Sequence, residues 1–124
     1  MYFILDFFIL VLLHIINDFN LQGIMADLKQ KDSWHDMPAK YDNDYKMALF
    51  EHAFSWTCFI MSPWIICQSI SLLWLCLFVV NLVIHCIVDD LKANKLIINL
   101  VEDQCIHLLQ LLATLAILGT FWYK

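Results

Sequence analysis

The chain has 124 residues, of which 62% are hydrophobic and 15% charged, and its formal net charge is −5. A soluble domain of this length could not bury so much apolar surface, and the acidic balance excludes a general nucleic-acid-binding face. Continuous apolar runs, with only two Gly and two Pro, argue against a β-barrel. The composition therefore predicts an all-α, polytopic membrane protein, whose five cysteines are expected to be small buried hydrophobic residues.

The apolar runs predict four helices in a single transmembrane domain over residues 1–124. Their expected approximate bounds are 2–21, 47–61, 70–91 and 96–122. Between the first two helices, residues 23–46 form a hydrophilic segment whose mixed charges predict a solvated loop. Proline cannot continue a helix without a kink, so we expect Pro63 to end the second helix or to begin a new one, with the turn inside 62–71.

The placement of lysine predicts the topology, because cytoplasmic loops carry an excess of basic residues. Six of the seven lysines fall at the two connections 23–46 and 92–95. We therefore expect both connections in the cytoplasm, both termini outside the inner (plasma) membrane, and an up-down four-helix bundle. The amino terminus lacks the basic region and the cleavage site of a signal peptide, so we expect it to remain as the first helix.

Three pairs of His and Asp, each four residues apart, interrupt the apolar runs. They are His14/Asp18, His85/Asp89 and Asp103/His107. This spacing places both members of a pair on one helix face. Ionisable groups within a membrane are costly and normally face a bundle interior. In the predicted topology all three pairs, together with His52, surround one polar cavity in the cytoplasmic half of the bundle.

These motifs resemble those of a family of small bacterial and phage membrane proteins that has no established activity. The family pattern is a His, an Asp-Phe and a Gln at the first helix, then a basic loop, a His opening the second helix, a His-x3-Asp ending the third, and an Asp-Gln-x2-His opening the fourth. The matching residues are His14, Asp18-Phe19, Gln22, Lys29, Lys31, His52, His85, Asp89, Asp103-Gln104 and His107.

The resemblance covers nearly the whole chain and implies a four-helix membrane protein. The chain departs from the family at Trp56 and Thr57, where many members carry a second His in the second helix. A looser similarity connects it with proteins described as membrane-bound metal-dependent hydrolases.

Imidazole and carboxylate groups are ligands of Zn²⁺, Mn²⁺ and Fe²⁺, and pairs spaced by four let one helix supply two ligands to one ion. We therefore expect one or two divalent metal ions, with zinc preferred over manganese or iron. The expected ligands are His14, Asp18, His85, Asp89, Asp103 and His107, with His52, Gln22 and Gln104 as additional candidates. Asn81 and Gln110 are expected to help orient the ligands through hydrogen bonds.

Three functions fit this pattern. The first is a metal-dependent hydrolase acting near the cytoplasmic leaflet, in which the metal lowers the pKa of water and an Asp or His outside the metal shell acts as base. The second is an accessory protein that binds a membrane-protein partner or a second copy of itself, with the His/Asp pairs as interhelical hydrogen bonds. The third is a proton or ion pathway, which needs polar residues across the full membrane thickness.

Overall fold

The computed structural model describes residues 2–67 and 70–121, and all regular elements in these ranges are helical. The prediction of an all-α chain is thus confirmed. The helices are α1 (Tyr2–Ile15), extended by a π-helical turn (Ile16–Asn20), the short α2 (Met25–Leu28), α3 (Asp44–Cys67), α4 (Leu72–Ala93) and α5 (Leu100–Leu118). Two 3-10 turns, Lys31–Trp34 and Ala39–Tyr41, lie in the segment between α2 and α3.

Helix α3 is longer than predicted at both ends, and the prediction that Pro63 ends it or begins another helix is wrong. The helix runs through Pro63 to Cys67. A proline inside a helix leaves the carbonyl of residue i−4 without its amide donor. Here that carbonyl belongs to Phe59, and the Ser62 hydroxyl donates a hydrogen bond to it at 2.7 Å. This replacement bond lets the helix continue where the sequence predicts a turn.

The starts of α4 and α5 are set by side-chain caps. Ser71 accepts a hydrogen bond from the main-chain N–H of Trp74 at 3.1 Å. Asn99 accepts from the main-chain N–H of Glu102, whose carboxylate accepts in return from the N–H of Asn99. This reciprocal capping box begins α5 at Leu100 instead of the predicted 96. The helix ends at Leu118, before Gly119, whose φ of 69° favours glycine. It is therefore shorter than predicted, and the predicted last residue, 122, lies outside the described residues.

Three helical segments in the described part of the chain are long and apolar enough to span a membrane. They are Tyr2–Asn20, Leu72–Ala93 and Leu100–Leu118. Helix α3 has the required length, but charged residues such as Asp44, Lys46 and Glu51 occupy its first turns. The three apolar spans indicate association with a membrane.

Polar and apolar residues are distributed as expected for a protein surrounded by lipid. Among the described residues, fourteen polar side chains are buried against thirteen hydrophobic ones. Large apolar side chains such as Phe8, Ile66 and Leu72 are instead exposed. The prediction that the five cysteines are buried is wrong, since three of them are exposed and two are half-buried. Helix α3 packs against α1 and α4, and α5 likewise packs against α1 and α4. The buried polar groups therefore lie between four helices whose outer surfaces are apolar.

Candidate metal centre

The structure brings all six predicted metal ligands together with His52. Each of their side chains is buried, with Asp18 the most exposed at 6%. They come from α1 and its π-helical turn, from α3, from α4 and from α5. The spacing of four residues thus turns each His/Asp pair toward the interior, as the sequence predicts.

Two overlapping groups of three residues have ligand atoms at metal-binding distance. The first triad is Asp18, His52 and His85, and the second triad is His85, Asp89 and His107. Within each triad the ligand atoms lie within 4.8 Å of one another, and His85 belongs to both. Within residues 2–67 and 70–121, neither triad includes His14 or Asp103, which were both predicted as ligands.

Protein hydrogen bonds account for much of the first triad. The Nε2 atom of His52 lies 3.2 Å from Asp18 Oδ1 and 3.3 Å from His85 Nε2. The other carboxylate oxygen of Asp18 accepts a hydrogen bond from Gln104 Nε2 at 3.0 Å. Both oxygens of Asp18 therefore have partners within the protein, so this triad does not require a metal ion to satisfy its carboxylate.

Both ring nitrogens of His14 form hydrogen bonds within the protein. The indole N–H of Trp56 donates to His14 Nδ1 at 2.7 Å, so the ring proton lies on Nε2. That Nε2–H donates in turn to Gln104 Oε1 at 2.9 Å. His14 therefore has no lone pair left for a metal, in contrast with its predicted role. It instead positions Gln104, whose amide nitrogen binds both Asp18 and Asp103 at 3.0 Å.

We expect Trp56→Phe to destabilise the protein by about 1–3 kcal/mol beyond the loss of packing, because it leaves the buried His14 Nδ1 without a donor. The matched control is Trp74→Phe, since the buried indole N–H of Trp74 has no hydrogen-bond partner among the described residues. Thermal unfolding in detergent measures both variants. Equal losses of stability would show that the hydrogen bond to His14 contributes nothing.

The second triad differs because two of its inward-facing atoms, Asp89 Oδ1 and His107 Nε2, lack hydrogen-bond partners. Asp89 Oδ2 accepts from Lys29 Nζ at 2.5 Å, and Asp103 Oδ2 accepts from Lys92 Nζ at 2.6 Å. The Oδ1 atoms of both carboxylates are buried without a hydrogen-bond partner in the described structure. Both lie 3.4 Å from His107 Nε2, which is also unpartnered. Such unsatisfied buried groups are costly, so their convergence requires an explanation.

The hydrogen bonds of Gln110 favour a lone pair on the inward-facing nitrogen of His107. The amide nitrogen of Gln110 donates to the main-chain and side-chain oxygens of Asn81, both at 2.8 Å. Its amide oxygen is thereby turned to His107 Nδ1, 3.5 Å away. With the ring proton on Nδ1, the lone pair of Nε2 faces two carboxylate oxygens. A nearby positive charge would stabilise these three electron-rich atoms in their buried position.

The separations match those between ligands of one ion. With bonds of about 2.0–2.1 Å, neighbouring ligands of a tetrahedral zinc ion lie about 3.3–3.4 Å apart. His107 Nε2 lies 3.4 Å and His85 Nε2 lies 3.8 Å from Asp89 Oδ1. A charge-assisted hydrogen bond would be shorter, about 2.7–2.9 Å. The separations within the second triad are therefore compatible with a divalent cation between its ligand atoms.

Ring stacking holds the two histidines of the second triad in place. The ring of His85 stacks on Trp56 and on His107, with centroid distances of 4.2 Å in both cases. All three rings are fully buried. Rigid ligands are a requirement of a selective metal site, and this stack supplies the rigidity.

The sequence alone did not predict that Lys29, Lys92 and Trp56 contact the site. Lys29 was assigned to a solvated loop, yet it is only 5% exposed. The loop is held on the end of α4 by Asn94, which accepts from the main-chain N–H of Lys31 at 2.7 Å and donates to the main-chain oxygen of Lys29 at 3.2 Å. A signal for Lys92 exists, since it follows Asp89 by three residues on the same helix.

No protein-family model matches the chain, and no curated protein or solved structure matches it. The family resemblance of the motifs stays a prediction, and the candidate metal centre is argued from its own geometry.

Proposed function

We propose that the chain is an integral membrane protein that binds a divalent metal ion at the second triad and acts as a metal-dependent hydrolase. One observation carries the proposal. The unpartnered Oδ1 atoms of Asp89 and Asp103 converge on the unpartnered Nε2 of His107 at 3.4 Å, in a fully buried position. Two imidazoles and a carboxylate form a common zinc-binding set, so zinc is preferred over manganese or iron.

The residues around the second triad have distinct roles in this proposal. His85, Asp89 and His107 would hold the cation, which would supply a Lewis acid that makes water a better nucleophile. Asp103 serves as the base, because its Oδ1 is unpartnered and lies beside the triad without belonging to it. Lys29 and Lys92 hold the outer oxygens of Asp89 and Asp103, so that each Oδ1 stays turned inward. The amide oxygen of Gln110 faces the outer nitrogen of His107 at 3.5 Å, which favours the ring proton on that nitrogen.

The proposal places the protein in the inner (plasma) membrane as an up-down bundle of four helices, including α3. The connections 23–46 and 92–95, which carry the lysines, lie on the cytoplasmic side. The candidate metal centre is then within the cytoplasmic half of the bilayer. Its substrate would be a lipid headgroup or another molecule at the membrane surface.

Cysteine labelling tests this topology. In a background without the five free cysteines, Asp36→Cys should react with a membrane-impermeant maleimide only after the cells are opened. Ile70→Cys should react in intact cells, since residue 70 precedes α4 at the opposite side of the proposed membrane. Both positions are exposed in the structure. Reaction of Asp36→Cys in intact cells would show that the loop lies outside and that the proposed orientation is wrong.

Metal analysis tests the centre itself. Protein purified in mild detergent should carry about one zinc ion per chain, and a chelator should remove it. Removal should lower the thermal stability, because an ion at 100 times its Kd stabilises the folded state by about 2.7 kcal/mol. His35→Ala is the control, since His35 is an exposed loop residue. Protein that binds neither zinc, manganese nor iron would refute the proposal.

A second candidate is an accessory protein that binds a membrane-protein partner or another copy of itself, with the polar cluster acting only as a staple between helices. The hydrogen bonds of His14 to Trp56 and Gln104 favour it, because they join three helices without a metal. The metal analysis separates the two candidates. Under the second, no ion binds, and substitutions in the 23–46 loop abolish function while His85→Ala leaves it intact.

A further inference from the structure

A pocket of about 330 Å³ lies beside the candidate metal centre, between the loop that follows α1 and the end of α4. Its polar lining consists of Lys29, Lys92, Gln22 and Gln30, and no carboxylate lines it. A volume near 300 Å³ is at the lower end of the range for small-molecule sites. The pocket is therefore of a size and a charge that suit a compact anionic group.

The two lysines connect this pocket to the metal centre. Lys29 Nζ contacts Asp89 and Lys92 Nζ contacts Asp103, each through the Oδ2 oxygen that faces away from the second triad. Lys29 also lies against the side chain of Gln22. In the amide orientation that gives both the oxygen and the nitrogen of Gln22 a partner, the oxygen accepts a hydrogen bond from Lys29 Nζ. An ammonium group has three donors, so Lys92 keeps donors for a ligand beyond its bond to Asp103.

The charge of the cluster changes sign when a cation binds. The three carboxylates of Asp18, Asp89 and Asp103 face two ammonium groups, which leaves one negative charge when the histidines are neutral. A divalent ion at the second triad would change this to one positive charge. In a buried setting such an excess attracts a counter-charge strongly, and the lysine-lined pocket is the adjacent place where an anion can enter.

We propose that this pocket binds the phosphate group of a phosphoric ester, with Lys29 and Lys92 as its cationic contacts, and that a metal ion in the second triad strengthens the binding. This inference rests on the proposed metal centre and names the substrate class of the hydrolase. The shared chemistry is a phosphate monoester or diester group. Its source is either the headgroup of a phospholipid or a soluble phosphate.

Titration of inorganic phosphate into zinc-loaded and chelator-treated protein tests the pocket, with ³¹P NMR as the readout. The zinc-loaded protein should bind phosphate at least about tenfold more tightly, and Lys92→Gln should remove at least about tenfold of that affinity, as expected for one charge-assisted bond. Lys95→Gln is the matched control, because Lys95 pairs with Asp90 and does not line the pocket. It should bind phosphate as the natural protein does.

The results distinguish a failure of the proposed phosphate pocket from a failure of the proposed metal centre. If zinc binds but phosphate does not, or if Lys92→Gln binds phosphate unchanged, the pocket inference is wrong and the metal centre stands. If no metal binds, both are overturned. Phosphatidic acid in nanodiscs that displaces inorganic phosphate, where phosphatidylcholine does not, supports a lipid source. Phosphate binding that phosphatidic acid leaves unchanged supports a soluble ester.

Discussion

Asp89→Leu should lower the free energy of unfolding by about 3–5 kcal/mol, the usual cost of removing one partner from a buried ion pair. Asp89 is 1% exposed, and its Oδ2 is paired with Lys29 Nζ at 2.5 Å. Leucine leaves that ammonium group buried, since Lys29 itself is only 5% exposed. Thermal or denaturant unfolding in detergent measures the loss.

Two further variants separate the charge from the volume at this position. Asp89→Asn keeps the shape and an acceptor for Lys29, so it should destabilise less, yet it should remove metal binding. Leu75→Ala on the same helix changes a half-exposed apolar side chain and should alter stability by less than about 1 kcal/mol. If Asp89→Leu instead stabilises the protein, the carboxylate was an uncompensated charge, and the proposed metal centre fails.

The sequence was sufficient to predict the helices and the inward direction of the polar pairs. A period of 3.6 residues places side chains four apart on one face, and the cost of exposing charges to lipid turns that face inward. Both rules are local, so they hold for His85/Asp89 and Asp103/His107 without knowledge of the rest of the chain. The end of α3 could not be predicted from a periodic pattern, because it depends on one side-chain contact. The Ser62 hydroxyl replaces the hydrogen bond that is lost at Pro63.

The ligand set could not be deduced in the same way, because it depends on contacts between distant residues. His14 and His85 look equivalent in the sequence, since each precedes an Asp by four residues. Only the packing of α3 shows that Trp56 donates to His14 and stacks on His85. Likewise, the burial of Lys29 depends on Asn94, which is 65 residues away. Pairings of this kind leave no periodic signal.

The two histidines therefore provide the sharpest test of the proposed metal centre. We expect His85→Ala to lower the affinity for zinc by at least about 100-fold, since loss of one ligand removes several kcal/mol of binding. His14→Ala, the matched substitution, should keep zinc binding, because both nitrogens of His14 are already hydrogen bonded. It should still lower stability by about 1–3 kcal/mol, since the indole N–H of Trp56 loses its acceptor.

Competition with a chromophoric chelator measures the zinc affinity, and thermal unfolding measures the stability of the same samples. His14 and His85 are both at most 1% exposed, so a general effect of disturbing the interior would affect the two variants alike. Loss of zinc binding in both variants would place His14 within the metal shell, as the sequence alone predicts. If His85→Ala retains zinc, the residue that the two triads share is not a ligand, and the second triad is not the metal site.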